Sequence, residues 1–414
     1  MDNSNNAGNY ILEVSWGCPS DKYPLNGLFQ FDQCRAIAGR GEKTIFLALD
    51  MRSFKRWRRW GIVHFTKDQI PVYEYNFPYG PMSPRIKYRI QDRCFVRSMN
   101  RICREHGMPK CVHFHGVMEA ISGMKWCIEH DVPTVITEHI TPVKEGDEVH
   151  KRMTEAYSQA DAIICVSSRL ASDIEKAYGA HTDAVIPNIV DLSVFELRSA
   201  ASDGAEDTET AAPSVEVALP AEEFRFISAA RLHPGKGFDT LLKAFSELVS
   251  EMNGSDDGAG QSEAISGKNI HLTIMGDGEE MAALKSECVL LGINDSVSFT
   301  GAYVRKEFAD ELLRSDCFVL ASQSETFGIV YAEAMAAGVP VISTRCGGPE
   351  DFIDEKSGIL VPVDDAWALK EAMKKMVSGA AVYDSKNISA ACKARFSPEN
   401  VADKIINVIN GCVR

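Results

Sequence analysis

Cys317-Phe-Val-Leu-Ala-Ser-Gln-Ser-Glu325-Thr-Phe-Gly328-Ile-Val-Tyr-Ala-Glu333 is the stretch on which the reading of this chain turns. Cys317 to Ser322 is a short, almost wholly apolar run of the kind that forms a buried strand. From Gly328 the spacing Ile329, Ala332, Ala336, with Met335, is that of a helix. Glu325 therefore falls in a strand-to-helix loop, and Glu333 lies more than one turn into the helix. A loop that feeds a helix N-terminus offers unpaired backbone N–H groups and the positive end of the helix dipole, which together favour a phosphate. Two carboxylates in such a place are also compatible with ordinary helix capping, worth only ~0.3–1 kcal/mol, and with a solvated helix face. A two-residue motif does not decide between these readings.

The same alternation of strand and helix runs along the whole chain and predicts α/β architecture, with parallel sheets covered by helices on both faces. Strands are expected at Tyr10–Ser15, Lys43–Ala48, Cys111–His115, Thr134–Thr137, Ala162–Val166 and Ala184–Pro187. A second series is expected at Phe224–Ser228, Ile270–Met275, Val297–Phe299, Cys317–Leu320, Val339–Ile342 and Ile359–Val361. Ser199 to Glu223, with Asp203-Gly-Ala-Glu-Asp-Thr-Glu209 at its centre, is too polar to bury a core and reads as an insertion near an interdomain linker. A second polar insertion, 253–268, separates a helix from its following strand. The expected organisation is two doubly wound, Rossmann-like domains, 1–195 and 196–395, facing across a cleft. Ligands in such sheets bind outside the strand C-terminal ends.

Composition narrows the classes. A chain of 414 residues with 45% hydrophobic and 25% charged content is that of a soluble globular protein of more than one domain. The polar start Met1-Asp-Asn-Ser-Asn-Asn does not read as a signal peptide, and no apolar run is long enough to span a bilayer. The 12 cysteines lack a CxxC pair and read as reduced core residues in a cytoplasmic protein. Net charge is −14, yet residues 51–110 hold 14 Lys plus Arg against 4 Asp plus Glu, including Arg52-Ser-Phe-Lys-Arg-Trp-Arg-Arg-Trp60 and a helix-like run from Arg85 to Arg104. Cations interleaved with tryptophan suit an anionic membrane surface, and hence a peripheral location at the inner face of the cell membrane. A basic face that balances the acidic remainder, or one that holds an anionic acceptor, is the alternative. Nucleic acid is not expected of a chain this acidic without a binding motif.

Several expected strand ends carry polar groups. The first strand is followed by a loop ending Asn26-Gly27 before a helix near Leu28, where glycine lets backbone approach a phosphate or simply makes a turn. No GxGxxG follows it, which argues against a dinucleotide oxidoreductase. His113-Phe-His115-Gly116 and Thr137-Glu138-His139 close two further strands. His139 is the stronger candidate for a substrate hydroxyl and His115 the weaker. In the second half, Ala230-Arg231-Leu-His-Pro-Gly-Lys236-Gly237 sets two cations around a glycine turn before an amphipathic helix. The planar fork of Arg and the compact charge of Lys together suit a diphosphate without a metal. No Asp-x-Asp metal site is apparent, and no cofactor is expected.

With these residues in order, the chain resembles the retaining nucleotide-sugar glycosyltransferases of the GT-B fold, glycosyltransferase family 4 (group 1) type. The resemblance runs from Gly27 through His139, Pro187-Asn188-Ile-Val-Asp191, Arg231 and Lys236, Gly276-Asp-Gly278, Val297 to Gly301, Glu325 to Glu333, and Gly347-Gly348-Pro-Glu350. It implies that Glu325, the first Glu of an E-x7-E pattern, lies beside the donor sugar and that Glu333 contacts the ribose. It further implies that Arg231 and Lys236 hold the diphosphate with Gly27 nearby, that Thr326, Phe327, Gly328, Ile329 and Val330 supply backbone N–H groups, and that His139 lines the cleft. It also implies that a C-terminal helix, 396–414, packs back on the first domain.

The function so implied is transfer of a hexose from a nucleotide-diphosphate sugar to a glycan or lipid-linked acceptor in surface polysaccharide or glycolipid synthesis, with retention of configuration and without a metal. A GT-B nucleotide-sugar epimerase and a non-catalytic nucleotide-sugar-binding protein are the alternatives.

Overall fold

The computed structural model describes residues 8–23, 26–53, 59–80, 83–141, 148–190, 192–195, 223–254 and 268–413. The two polar insertions, apart from their flanking residues, lie outside the described residues, as does 54–58 of the tryptophan–cation run. The chain divides into two compact units, Met1–Asp191 with Arg395–Arg414, and Leu192–Ala394.

The first unit is built on an eight-stranded sheet of β1 (Ile11–Ser15), β2 (Thr44–Ser53), β3 (Gly61–Lys67), β4 (Ile70–Tyr79), β5 (Cys111–Phe114), β6 (Thr134–Glu138), β7 (Ala162–Cys165) and β8 (Ala184–Val185). Its order is β3-β4-β2-β1-β5-β6-β7-β8. All neighbours run parallel except β3 and β4. That hairpin is a departure from the expected pattern, in which residues 61–79 carry no strand. Its turn residues Asp68 and Gln69 both have positive φ, 47° and 65°, as a two-residue hairpin turn requires. Two prolines disguise β4 in the sequence, since proline lacks a ladder donor. Pro71 pairs only with β3 and Pro78 only with β2, so neither sits where the strand has partners on both sides.

The C-terminal helix Pro398–Cys412 starts at Ser397, whose hydroxyl accepts the Asn400 N–H at 3.2 Å. Its apolar stripe of Val401, Ala402, Ile405 and Ile409 is fully buried against Ile11, Ile37, Cys111, Val135 and Ile164. At roughly 1.5–3 kcal/mol for each fully buried Val or Ile side chain, this stripe is ample to hold the chain end on the first unit.

The second unit is an all-parallel sheet of β9 (Glu223–Ala229), β10 (Asn269–Met275), β11 (Val297–Gly301), β12 (Cys317–Leu320), β13 (Val341–Thr344) and β14 (Gly358–Val361), in the order β11-β10-β9-β12-β13-β14. Strands buried on both faces read as unbroken apolar runs, as Cys317-Phe-Val-Leu320 does, with all four residues buried. In each unit the sheet order reverses beside its first strand, between β1 and β5 and between β9 and β12. Loops at such a reversal part to opposite faces and leave room for a ligand at the strand ends.

Candidate functional site

In the second unit the reversal brings together two loops far apart in sequence. The loop after β9 ends in a single tight turn, Pro234–Lys236, in which His233 Nδ1 accepts the Gly235 N–H at 3.1 Å. Gly237 follows at φ 64° and opens the helix Phe238–Asn253. A Cβ there would sit 2.0 Å from the Ala321 carbonyl oxygen, so only glycine lets this turn lie against the end of β12. The Gln323 N–H donates to the Gly235 carbonyl at 3.0 Å and completes the seam. Through it the Lys236 ammonium reaches Glu325 Oε1 at 2.6 Å, and the Ser322 hydroxyl donates to the same oxygen at 2.8 Å. The backbone of Glu325 is fixed as well, its N–H on the Cys346 carbonyl and its carbonyl accepting from Gly348, each at 2.9 Å.

Three residues on, Gly328 opens the helix Ile329–Ala336 in the left-handed conformation, φ 87°. Tyr331 anchors that helix to β12 by donating its hydroxyl to the Leu320 carbonyl at 2.9 Å. Phe327 is buried beside Phe352, whereas Thr326, Ile329 and Val330 stay partly accessible at the helix start, where first-turn N–H groups have no partner within the helix. Glu333 is buried, with Oε1 3.0 Å from Arg305 Nε. Burial, with Glu333 adding to it, pushes the nearby Tyr303 phenol up to about 12. Arg231 does not join this group: its side chain is 75% exposed and stands 3.4 Å from Glu279.

Gly27 and His139 belong to the first unit. Gly27, at φ 68°, opens the helix Leu28–Gly39, and a Cβ would meet the Gly17 carbonyl oxygen at 2.1 Å. Its own loop therefore already demands glycine. His139 follows β6 and hangs on its neighbour: Glu138 Oε1 accepts the N–H groups of His139 and Ile140 at 2.9 and 3.0 Å. Glu138 Oε2 accepts the Val117 N–H at 3.1 Å and the Tyr157 hydroxyl at 2.6 Å. Even so, burial raises Glu138, and burial with Glu138 close by pushes Glu119 up to about 8.

Beside them, across the reversal between β1 and β5, lies a fully buried cluster of Glu13, His113 and His115. Glu13 Oε2 is 2.8 Å from both His113 Nδ1 and His115 Nε2. His113 Nε2 lies 2.7 Å from the Thr137 hydroxyl. Burial would raise Glu13, but the two imidazoles outweigh it and bring the carboxyl down to about 2. Burial also lowers His115, and, with the other histidines, lowers His139 to about 3, so the His139 imidazole is neutral at neutral pH.

Among the described residues, Glu13, His113 and His115 also form the group whose ligand atoms converge enough to hold a metal, all within 4.8 Å of one another. The 2.8 Å separation of His115 Nε2 from Glu13 Oε2 is that of a hydrogen bond. Two ligands of one tetrahedral zinc ion, each about 2.0–2.2 Å from it, lie more than about 3.2 Å apart. Sequence reasoning singled out His139 but passed over Glu13, Glu119 and Glu138. The available signal was a glutamate in the middle of the apolar run Tyr10–Ser15, where a buried carboxylate needs partners.

The family described as Glycosyltransferase Family 4 matches residues 35–194, and that described as Glycosyl transferases group 1 matches residues 213–395. The chain belongs to this GT-B glycosyltransferase family. Within the family it is 28% identical over 283 residues to a D-inositol 3-phosphate glycosyltransferase of Xylanimonas cellulosilytica, covering 64% of this chain and 63% of that relative. It is also 28% identical over 224 residues to the lipopolysaccharide core biosynthesis glycosyltransferase LpsE of Rhizobium meliloti, covering 54% and 55%. Among solved structures, sucrose-phosphate synthase from Thermosynechococcus elongatus superposes with a TM-score of 0.72 at 18% identity, covering 97% of this chain and 98% of the other. Anabaena HepE in complex with UDP and glucose gives 0.66 at 17%, covering 97% and 99%. These likenesses show the GT-B fold of this glycosyltransferase.

Proposed function

We propose that this glycosyltransferase is a retaining, metal-independent hexosyltransferase with a nucleotide-diphosphate sugar as donor and a glycan or lipid-linked acceptor. The observation that carries the reading is the Lys236–Glu325–Ser322 cluster, set at the sheet reversal three residues before Gly328 opens a helix. Breaking the anomeric C–O bond leaves a nucleoside diphosphate on which negative charge grows. An ammonium and a helix N-terminus already in place stabilise that charge more in the transition state than in the ground state. An ammonium has three donors, and Glu325 uses one. Glu325 Oε1 accepts from both Lys236 and Ser322, which blunts it as a nucleophile and suits it to positioning donor hydroxyls. Attack on the same face, with the leaving phosphate taking the acceptor proton, then accounts for retention. Glu333 receives the ribose, and in the first unit the neutral His139 is that unit's own candidate for a substrate hydroxyl.

The donor class is supported by the UDP held by Anabaena HepE, and a glycan acceptor by the name of LpsE. An anionic acceptor or membrane surface is supported by the helix Pro84–His106, whose exposed face carries Arg89, Arg93, Arg97 and Arg104. No helix among the described residues is long and apolar enough to cross a membrane. A panel of nucleotide sugars, followed by proton NMR of the product, tests the proposal. The transferred sugar is expected to keep the donor's anomeric configuration, and an inverted product would overturn the retaining assignment.

A further inference from the structure

Both carboxylates of the E-x7-E pattern meet a cation from another strand-end loop, and the second pairing is the unexpected one. Glu325 meets Lys236 from the loop after β9. Glu333 meets Arg305, the first residue of the helix Arg305–Leu312 that follows β11. We infer that Arg305 is a positioning residue for nucleotide recognition, holding the Glu333 carboxylate in the orientation that accepts the ribose hydroxyls. The inference deepens the proposed function and rests on its assignment of Glu333 to the ribose.

The geometry requires a partner for Glu333. Its side chain is only 8% exposed, on a helix that Tyr331 pins to β12. A carboxylate so enclosed is strongly disfavoured without a charge partner. Arg305 Nε supplies one at 3.0 Å, and its own side chain keeps 23% exposure, so the pair stands at the border of solvent rather than deep in the core. A guanidinium is a planar fork with fixed donor directions, and it orients a carboxylate where a lysine ammonium only attracts it. Tyr303 lies two residues earlier on the same loop, packed on Phe308 with ring centroids 5.5 Å apart. The loop that carries Arg305 is therefore anchored to the core beside the carboxylate, as a positioning role demands. In sequence the residue is inconspicuous, because Arg305-Lys-Glu-Phe-Ala-Asp reads as the charged first turn of a surface helix.

A cycle of nucleotide and side chain isolates this role from a merely structural one. UDP, GDP and ADP, each with its 2′-deoxy counterpart, are titrated by calorimetry into wild type, Arg305→Gln and Arg305→Lys. Wild type is expected to bind its preferred ribonucleotide roughly tenfold tighter than the deoxy form, the effect of one charge-assisted hydrogen bond. Arg305→Gln is expected to weaken the ribonucleotide by a similar factor while leaving the deoxy form nearly unchanged, so the preference collapses. Arg305→Lys is expected to recover part of it. Equal weakening of both nucleotides, or an unchanged preference in Arg305→Gln, would overturn the inference while leaving the nucleotide site standing. Failure of wild type to bind any of the three ribonucleotides would overturn both.

Discussion

Lys236 and Glu325 are 89 residues apart in the chain and 2.6 Å apart in the fold, joined across the strand ends at which the second sheet reverses its order. The ion pair follows from topology: β9 and β12 are neighbours, and each hands its loop to the same place. Ser322 shares the carboxylate oxygen that Lys236 holds, so the cluster has a hydroxyl whose removal does not strip the site of charge. Ser322→Ala is predicted to lower the transfer kcat by about 2- to 12-fold, the worth of one net hydrogen bond. Nucleotide affinity should stay close to wild type, and steady-state kinetics alongside calorimetry separates the two.

Gly237 is predicted to be among the least replaceable glycines of the second unit. Gly237→Ala combines a left-handed backbone, which costs an L-residue roughly 1–2 kcal/mol, with a Cβ driven 2.0 Å from the Ala321 carbonyl oxygen. Gly292 has a similar φ, 69°, but nothing within 4 Å of its would-be Cβ, so Gly292→Ala should show the backbone cost alone. Urea denaturation of both variants checks the contrast, and Gly237→Ala should also lose activity because its turn carries Lys236.

Glu119 makes a prediction about pH. Its carboxyl is held at about 8 in the fold against an ordinary value of 4.5, by burial and by Glu138. Between those values the folded state keeps a proton that the unfolded chain has released, so the unfolded state binds fewer protons and stability falls as pH rises through the window. The slope from this one group approaches at most about 1.4 kcal/mol per pH unit. Glu119→Gln is predicted to flatten the dependence of the unfolding free energy on pH between 4.5 and 8, measured by chemical denaturation at a series of pH values.

Much of this site is legible in the sequence because each part is local. The run Cys317–Glu333 announces strand, loop and helix by periodicity, and the turn around Lys236 announces itself by its glycines and cations. What it does not announce is which charges meet. Lys236 and Arg231 read as an equal pair of cations, and nothing local tells that Lys236 pairs with Glu325 while the exposed Arg231 lies beside Glu279. The pairing of Arg305 with Glu333 depends on two helices whose contact no local pattern encodes. The hairpin Gly61–Tyr79 escapes for another reason. Its two prolines, Pro71 and Pro78, mask an alternation that its neighbours turn into two strands. Glu13 and Glu138 are hidden in the same way, since a glutamate inside a strand looks like an edge or a surface until the partners that bury it are in place.

The Lys236–Glu325 pair is proposed to stabilise and orient the nucleotide-sugar donor during transfer. The most direct measurement is the transfer rate of Lys236→Met and Glu325→Gln beside wild type, with the nucleotide sugar that a donor panel identifies and with thermal unfolding recorded on the same samples. Each variant is predicted to lose on the order of 100- to 1,000-fold in kcat, as loss of one preorganised charge at a reacting centre does, with unfolding temperatures near that of wild type. Activity within threefold of wild type in either well-folded variant would contradict the account.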